Sequence, residues 1–186
     1  AIRGGQLRVC GFSSACFTLA GAAFEFAGSD YRTKMAQLEA AAGQFASVEE
    51  LLDRETAAGR RPEARGSVAR ALHRLTCGCK FVLLLLEGLV ESLEADGPAQ
   101  GDSDLRDVAR RAYAGSMRYY HPAAVRMAVS AGLYLLPGRE VFLGKLGIPA
   151  ESVKTVAAPQ GRRFVAAARP LTENVHALLR DRGVNL

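Results

Sequence analysis

Two arginines four residues apart, Arg70 and Arg74, are the first feature of this sequence that could do chemistry. On a helix they share a face, where like charges repel modestly in water and more strongly beside an apolar surface. An anion between them removes that cost. Guanidinium forks suit phosphate because they donate two parallel hydrogen bonds to its oxygens. A solvated pair with Glu partners is the ordinary alternative. Asp30 and Lys34 repeat the spacing, and Asp30 could equally be a helix cap that needs no ligand. His121, in Tyr119-Tyr120-His121-Pro122 at the start of a helix, is a third candidate; a lone histidine there is more often structural.

Other reactive side chains point elsewhere. Of the four cysteines (Cys10, Cys16, Cys77, Cys79), Cys77 and Cys79 lie two apart on a helix and face different ways, which suits neither a bridge nor a zinc site. The three histidines stand apart from any cysteine cluster, so no metal is expected. Reduced thiols and a cytoplasmic setting follow. No nucleophile is paired with a base and no glycine-rich loop cradles phosphate, so neither enzymatic activity nor a cofactor is expected.

These residues need elements to position them. The 186 residues suffice for one domain. Ala, Leu, Arg and Glu are abundant and runs of β-branched residues scarce, which favours an all-α fold. Helices are predicted at 9–27, 31–42, 47–57, 66–93, 104–119, 122–135 and 150–182, with a short turn at 139–146 and a break around Pro159 to Gly161. Ser29 and Asp30 can cap the second helix, Ser47 and Glu50 form a capping box, and Pro122 suits a first helical position. Polar loops precede Gly66 and cover Ala95 to Ser103. The stretch Val9–Phe24 resembles a signal peptide, although a buried amphipathic helix is the better reading.

The 66–93 segment is the most informative. Val68, Leu72, Leu75, Cys79, Val82, Leu86 and Leu89 form one apolar stripe. Nearly opposite lie Arg70, Arg74, Cys77, Phe81 and Leu84 or Leu85. From Phe81 to Leu86 the helix is apolar all round, so it should be buried on two sides. The second side turns cationic toward Arg70 and Arg74.

The net charge of +5 fits an anionic membrane surface, a nucleic acid or plain arginine richness. Scattered arginines, poorly interleaved with aromatics, argue against nucleic acid.

Taken together, three segments resemble the glycolipid transfer protein superfamily: Gly28-Ser29-Asp30-Tyr31-Arg32-Thr33-Lys34; Arg70-Ala-Leu-His-Arg74 followed by Leu86-Glu87-Gly88-Leu89; and Tyr120-His121-Pro122 through Arg126 to Leu136-Pro137-Gly138-Arg139-Glu140-Val141-Phe142-Leu143. The resemblance covers roughly residues 11–146. Asp30, Lys34, Arg70, Arg74 and His121 match the pattern of the ceramide-1-phosphate branch. The glycolipid branch stacks a sugar on tryptophan, whereas this chain has no Trp and Phe81 stands at the matching place. Ala123 and Ala124 occupy positions where the family usually has an aromatic. The family's first helix is expected to be missing, since little precedes Val9.

The resemblance implies a two-layer helical sandwich with a lipid slot between the layers. It implies that Lys34, Arg70 and Arg74 bind a phosphate, that Asp30 and His121 read the amide and hydroxyl of a sphingoid base, and that Phe81, Leu84 and Leu85 line the apolar pocket. The function implied is transfer of ceramide-1-phosphate or phytoceramide-1-phosphate between membranes, by a monomer that docks peripherally and transiently. Glycosphingolipid transfer and a sphingolipid-responsive sensor or adaptor are the alternatives.

Overall fold

The computed structural model describes residues 25–42, 44–62, 64–94 and 103–184, together with 10, 11 and 13. Most of the predicted first helix and the 95–102 loop lie outside the described residues. Among the described residues the regular elements are all helices: α1 (Glu25–Ala42), α2 (Val48–Ala57), α3 (Val68–Glu94), α4 (Ser103–Ala114), α5 (Ala123–Tyr134), α6 (Arg139–Lys145) and α7 (Ala158–Asp181). Short 3-10 turns occupy Arg118–Tyr120 and Ala150–Ser152, and a π turn occupies Val153–Ala157.

The central element is α3. Its predicted stripe is in the core, with Leu72, Leu75, Cys79, Val82 and Leu89 buried. Phe81, Leu83 and Leu85 on its other sides are buried too, as a helix apolar all round requires. Each such leucine or phenylalanine stabilises the fold by about 2 kcal/mol through lost water contact. Helices α1, α4 and α7 pack around it.

Glycines let two of these neighbours come close. A Cβ on Gly78 would fall 2.5 Å from the Tyr31 ring of α1, and one on Gly88 would fall 2.6 Å from Val108 of α4. Tyr31 donates its hydroxyl to the Leu75 carbonyl at 3.2 Å and touches Cys79 Sγ at 3.1 Å. Cys10 Sγ lies 3.6 Å from Cys79 Sγ. The Cys10 thiol is raised chiefly by its hydrogen bond to Cys79 and then by burial, and the Tyr31 phenol chiefly by burial, so both stay protonated.

The start of α3 is held from outside. Glu55 of α2 accepts from the Val68 and Ala69 backbone N–H groups at 2.8 Å and from the Ser67 hydroxyl at 3.0 Å. A carboxylate there satisfies donors that the helix cannot pair internally and complements its dipole. Gly66, at a left-handed φ of 83°, makes the turn into α3, and Gln37 of α1 donates to its carbonyl at 2.9 Å. The residues of α3 that follow, Arg70 and Arg74 among them, therefore leave a fixed origin.

Three predicted boundaries need correction. Helix α1 runs without interruption through Gly28, Ser29 and Asp30, so neither Ser29 nor Asp30 caps it; burial of Tyr31 and Leu38 holds the helix against α3, and Asp30 pairs with a side chain instead. The break expected at Pro159–Gly161 is absent, because Pro159 falls in the first turn of α7, where no backbone donor is needed. The irregularity sits earlier, in the π turn. Pro122 is the N-cap of α5, one position before that predicted. The capping box stands: Glu50 N–H donates to Ser47 Oγ at 3.2 Å, and the Glu50 carboxylate accepts from the Ala46 N–H at 2.8 Å.

Candidate functional site

The site is assembled from α1, α3 and the Tyr120–His121 turn that leads into α5. Asp30 and Lys34 form the i, i+4 ion pair that their spacing allows, with the Lys34 side chain the less exposed of the two. Arg74 is half-buried one turn after Arg70, and its Nη1 donates to the Tyr120 carbonyl at 3.2 Å. That bond ties the central helix to the residue before His121. His121 Nδ1 lies 2.9 Å from the Tyr113 hydroxyl of α4. Burial lowers the His121 pKa; the Arg74 guanidinium lowers it further, and Asp30 opposes both.

Four of the five headgroup candidates thus fall in two linked pairs, on helices that pack together: Asp30 with Lys34 on α1, and Arg74 of α3 with the turn that carries His121. Arg70 stands half-buried on the same stripe of α3, its backbone N–H on Ser67 Oγ at 3.2 Å. Farther along α3, Phe81 and Leu85 are buried, and Leu84 is half-buried against Gly115.

Several neighbours were not singled out from the sequence. Burial raises the Tyr113 phenol, while Arg126 and Arg118 pull it down. An exposed apolar strip, Tyr119, Met127, Tyr134, Leu135 and Val141, follows the chain around α5 into α6. The clue available was α5 itself, where Arg126 and Ser130 are the polar residues among twelve.

Beneath the turn lies His73, 2% exposed, with its ring edge-on to Tyr120 at 4.6 Å and 6.3 Å from His176. The sequence reading kept histidines apart from cysteines. In the structure His73 Nε2 is 3.7 Å from Cys77 Sγ, one turn along the same helix. Burial pushes the Cys77 thiol up to about 12, and burial, with His176 and Arg74, pushes His73 down to about 4. Those shifts oppose a thiolate–imidazolium pair, so this is a packing contact and not an activated nucleophile. Among the described residues no group of three or more His, Cys, Asp or Glu is placed to hold a metal, and no helix is long and apolar enough to cross a membrane.

The buried histidines make the fold acid-sensitive. An unfolded imidazole takes up its proton near 6.5, whereas folded His73 resists until about 4. His121 and His176 are shifted the same way. Between those pH values the unfolded chain binds protons that the folded chain refuses, so stability falls as pH drops from 6.5 and is unaffected above it. His73 alone should cost about 3 kcal/mol by pH 4. Thermal melts at pH 7.5 and 4.5 should show a drop that shrinks in His73→Phe; an equal drop in both proteins would remove His73 as its source.

The comparisons with known proteins show the family. A family model, "Glycolipid transfer protein (GLTP)", matches residues 7–148. The chain belongs to the glycolipid transfer protein family. It is 32% identical over 191 residues to "ACD11 homolog protein" of Arabidopsis thaliana, covering 97% of this chain and 76% of that one. Against "Accelerated cell death 11" of the same plant, identity is 34% over 137 residues, 74% of this chain and 63% of the relative. "Ceramide-1-phosphate transfer protein" of Rattus norvegicus is 29% identical, with 68% and 51% covered. The chain thus spans between about half and three-quarters of these relatives' lengths.

A crystallised point mutant of Arabidopsis ACD11, complexed with C12 ceramide-1-phosphate, has a TM-score of 0.79 at 29% identity, covering 95% of this chain and 81% of that one. Human ceramide-1-phosphate transfer protein, in complex with 12:0 ceramide-1-phosphate, shares the fold at 23% identity, with a TM-score of 0.71 and 89% and 83% covered. The all-α architecture is the glycolipid transfer fold, that of a family of lipid transfer proteins.

Proposed function

We propose that this protein moves ceramide-1-phosphate, or its phytosphingosine relative, between membranes without chemical change. The observation that carries the reading is Arg74's bond to the turn that carries His121, made from a helix that packs against the helix of the Asp30–Lys34 pair and is apolar on all sides a turn or two farther on. In this reading Lys34, Arg70 and Arg74 hold the phosphate by charge-assisted hydrogen bonds. Asp30 accepts from the sphingoid amide N–H and hydroxyl, and His121 donates to the amide carbonyl. Phe81, Leu84 and Leu85 belong to the apolar wall beside the chains. The Arabidopsis relative crystallised with ceramide-1-phosphate supports that lipid as the cargo.

A carrier is needed because a lipid with roughly 25 chain methylenes resists leaving a bilayer by ~20 kcal/mol, at ~0.8 kcal/mol per methylene. An apolar slot opened at the membrane surface replaces that water contact. The exposed strip from Tyr119 to Val141 is suited to touch the interface there, with Arg118, Arg126 and Lys145 toward anionic headgroups. Two of its members, Tyr119 at 90% exposure and Met127 at 74%, flank His121 in the chain, so docking and lipid uptake would share one rim.

Phe81, 5% exposed, offers no open ring face for a sugar, which favours phosphate over glycosphingolipid headgroups. Transfer of fluorescent ceramide-1-phosphate between vesicles should be competed by unlabelled ceramide-1-phosphate at least ~10-fold better than by glucosylceramide, a difference of about 1.4 kcal/mol. Equal competition, or preference for the sugar lipid, would overturn the assignment.

A further inference from the structure

The least explained polar contact in the site is the one behind His121. Tyr113 is 4% exposed, in the core between α4 and α3, and its hydroxyl reaches His121 Nδ1 at 2.9 Å. The two rings are tilted by 37° with centroids 5.7 Å apart, so the hydroxyl and not a stacked face makes the contact. We propose that Tyr113 is the positioning residue that fixes His121 with its hydrogen on Nε2, so that the ring presents a donor to the lipid's amide carbonyl.

Two hydrogen patterns fit the distance. Either Tyr113 donates to a bare Nδ1, or an Nδ1–H donates to the phenolic oxygen. The second leaves the phenol hydrogen to find another acceptor inside the core, where an unmatched hydroxyl is costly. Among the described residues Nδ1 is the acceptor that this hydroxyl meets. Tyr113 therefore donates, Nδ1 accepts, and the one hydrogen of the neutral ring goes to Nε2. Burial and the Arg74 guanidinium favour that neutral ring, and burial keeps the phenol protonated despite Arg126 and Arg118.

The consequence is selectivity. An Nε2–H can donate to the carbonyl of an N-acyl chain but has nothing to offer an ammonium group. The site then prefers the acylated sphingoid phosphate to the de-acylated one, whose nitrogen carries only donors. Tyr113 acts on the lipid through His121 and does not itself touch it. This inference rests on the ceramide-phosphate reading above, so its test has an arm that needs no lipid.

In the lipid-free protein, ¹⁵N shifts of the His121 ring should report Nε2–H, and Tyr113→Phe should convert it to a mixture of tautomers. An Nδ1–H ring in the unaltered protein would overturn the inference, whatever lipid is carried. In vesicle transfer of ceramide-1-phosphate, Tyr113→Phe should lower the rate about 5-fold, but less than 2-fold when His121 is already Leu. An equal loss in both backgrounds would show that Tyr113 only supports the fold. If the unaltered protein carries no ceramide-1-phosphate, the proposed function fails, and the ring shifts still decide the role of Tyr113.

Discussion

Arg74→Leu is expected to abolish ceramide-1-phosphate transfer, with a loss of at least ~100-fold, or about 3 kcal/mol. The size follows from two tasks held by one side chain. Its guanidinium stands among the groups assigned to the phosphate, where a charge-assisted fork contributes more than a neutral bond. It also holds the Tyr120 carbonyl, so its loss frees the turn that carries His121. Leucine keeps most of the stem's packing on α3, and circular dichroism should show an intact helical fold. Arg74→Lys keeps the charge without the fork, and transfer should fall between the two. Arg70→Leu should remove phosphate binding and leave Tyr120 in place. Unchanged vesicle transfer by Arg74→Leu would defeat the proposed site.

Gly78→Val should do comparable damage by a different route. The first added carbon would lie 2.5 Å from Tyr31 Cε2 and 3.2 Å from Cδ2, closer than real side chains approach. Tyr31 cannot swing aside cheaply, since its hydroxyl is bonded to Leu75 and its ring is buried. Helix α1 must then back away from α3, taking Asp30 and Lys34 with it. Overpacking at such a contact costs about 3 kcal/mol, which lowers the melting temperature of a domain this size by about 9 °C. Transfer should fall further than stability alone accounts for, because the Asp30–Lys34 pair is displaced from Arg74. Gly78→Val combined with Tyr31→Ala should recover part of the loss. A melting temperature unchanged by Gly78→Val would show that the helices are not in close contact there.

What could be read before any coordinates was what depends on type and spacing. The stripe on α3 was legible because a 3.6-residue period survives any tertiary arrangement. Asp30 with Lys34 and Arg70 with Arg74 were legible because helical neighbours are set by counting. Where a partner helix decides, the reading failed. Asp30 has the chemistry of a cap, yet burial of Tyr31 and Leu38 carries α1 past it. Pro159 and Gly161 have the chemistry of a break, yet the π turn absorbs the irregularity before them. Gly78 inside a helix looks like a weakness until the Tyr31 ring is seen against it. Tyr113 is indistinguishable by pattern from any core tyrosine; only its distance to His121 reveals it. Exposure of Tyr119 and Met127 likewise depends on what does not cover them.

The pairing of α3 with α7 has a consequence for how such a chain can change length. Glu87 meets Arg169 and Glu94 meets Arg162, with Val90 reaching Gly161, the residue next to Arg162, and His73 facing His176 near the other end. The two helices run antiparallel, and the ion pairs recur at matching intervals of two turns. Exposed ion pairs contribute little stability, but together with the glycine notch they index one helix against the other. Inserting a single residue in either helix would rotate everything beyond it by about 100° and put charges where the core should be. Growth and loss within these helices are therefore confined to steps of whole paired turns, whereas the connections between elements are free to vary.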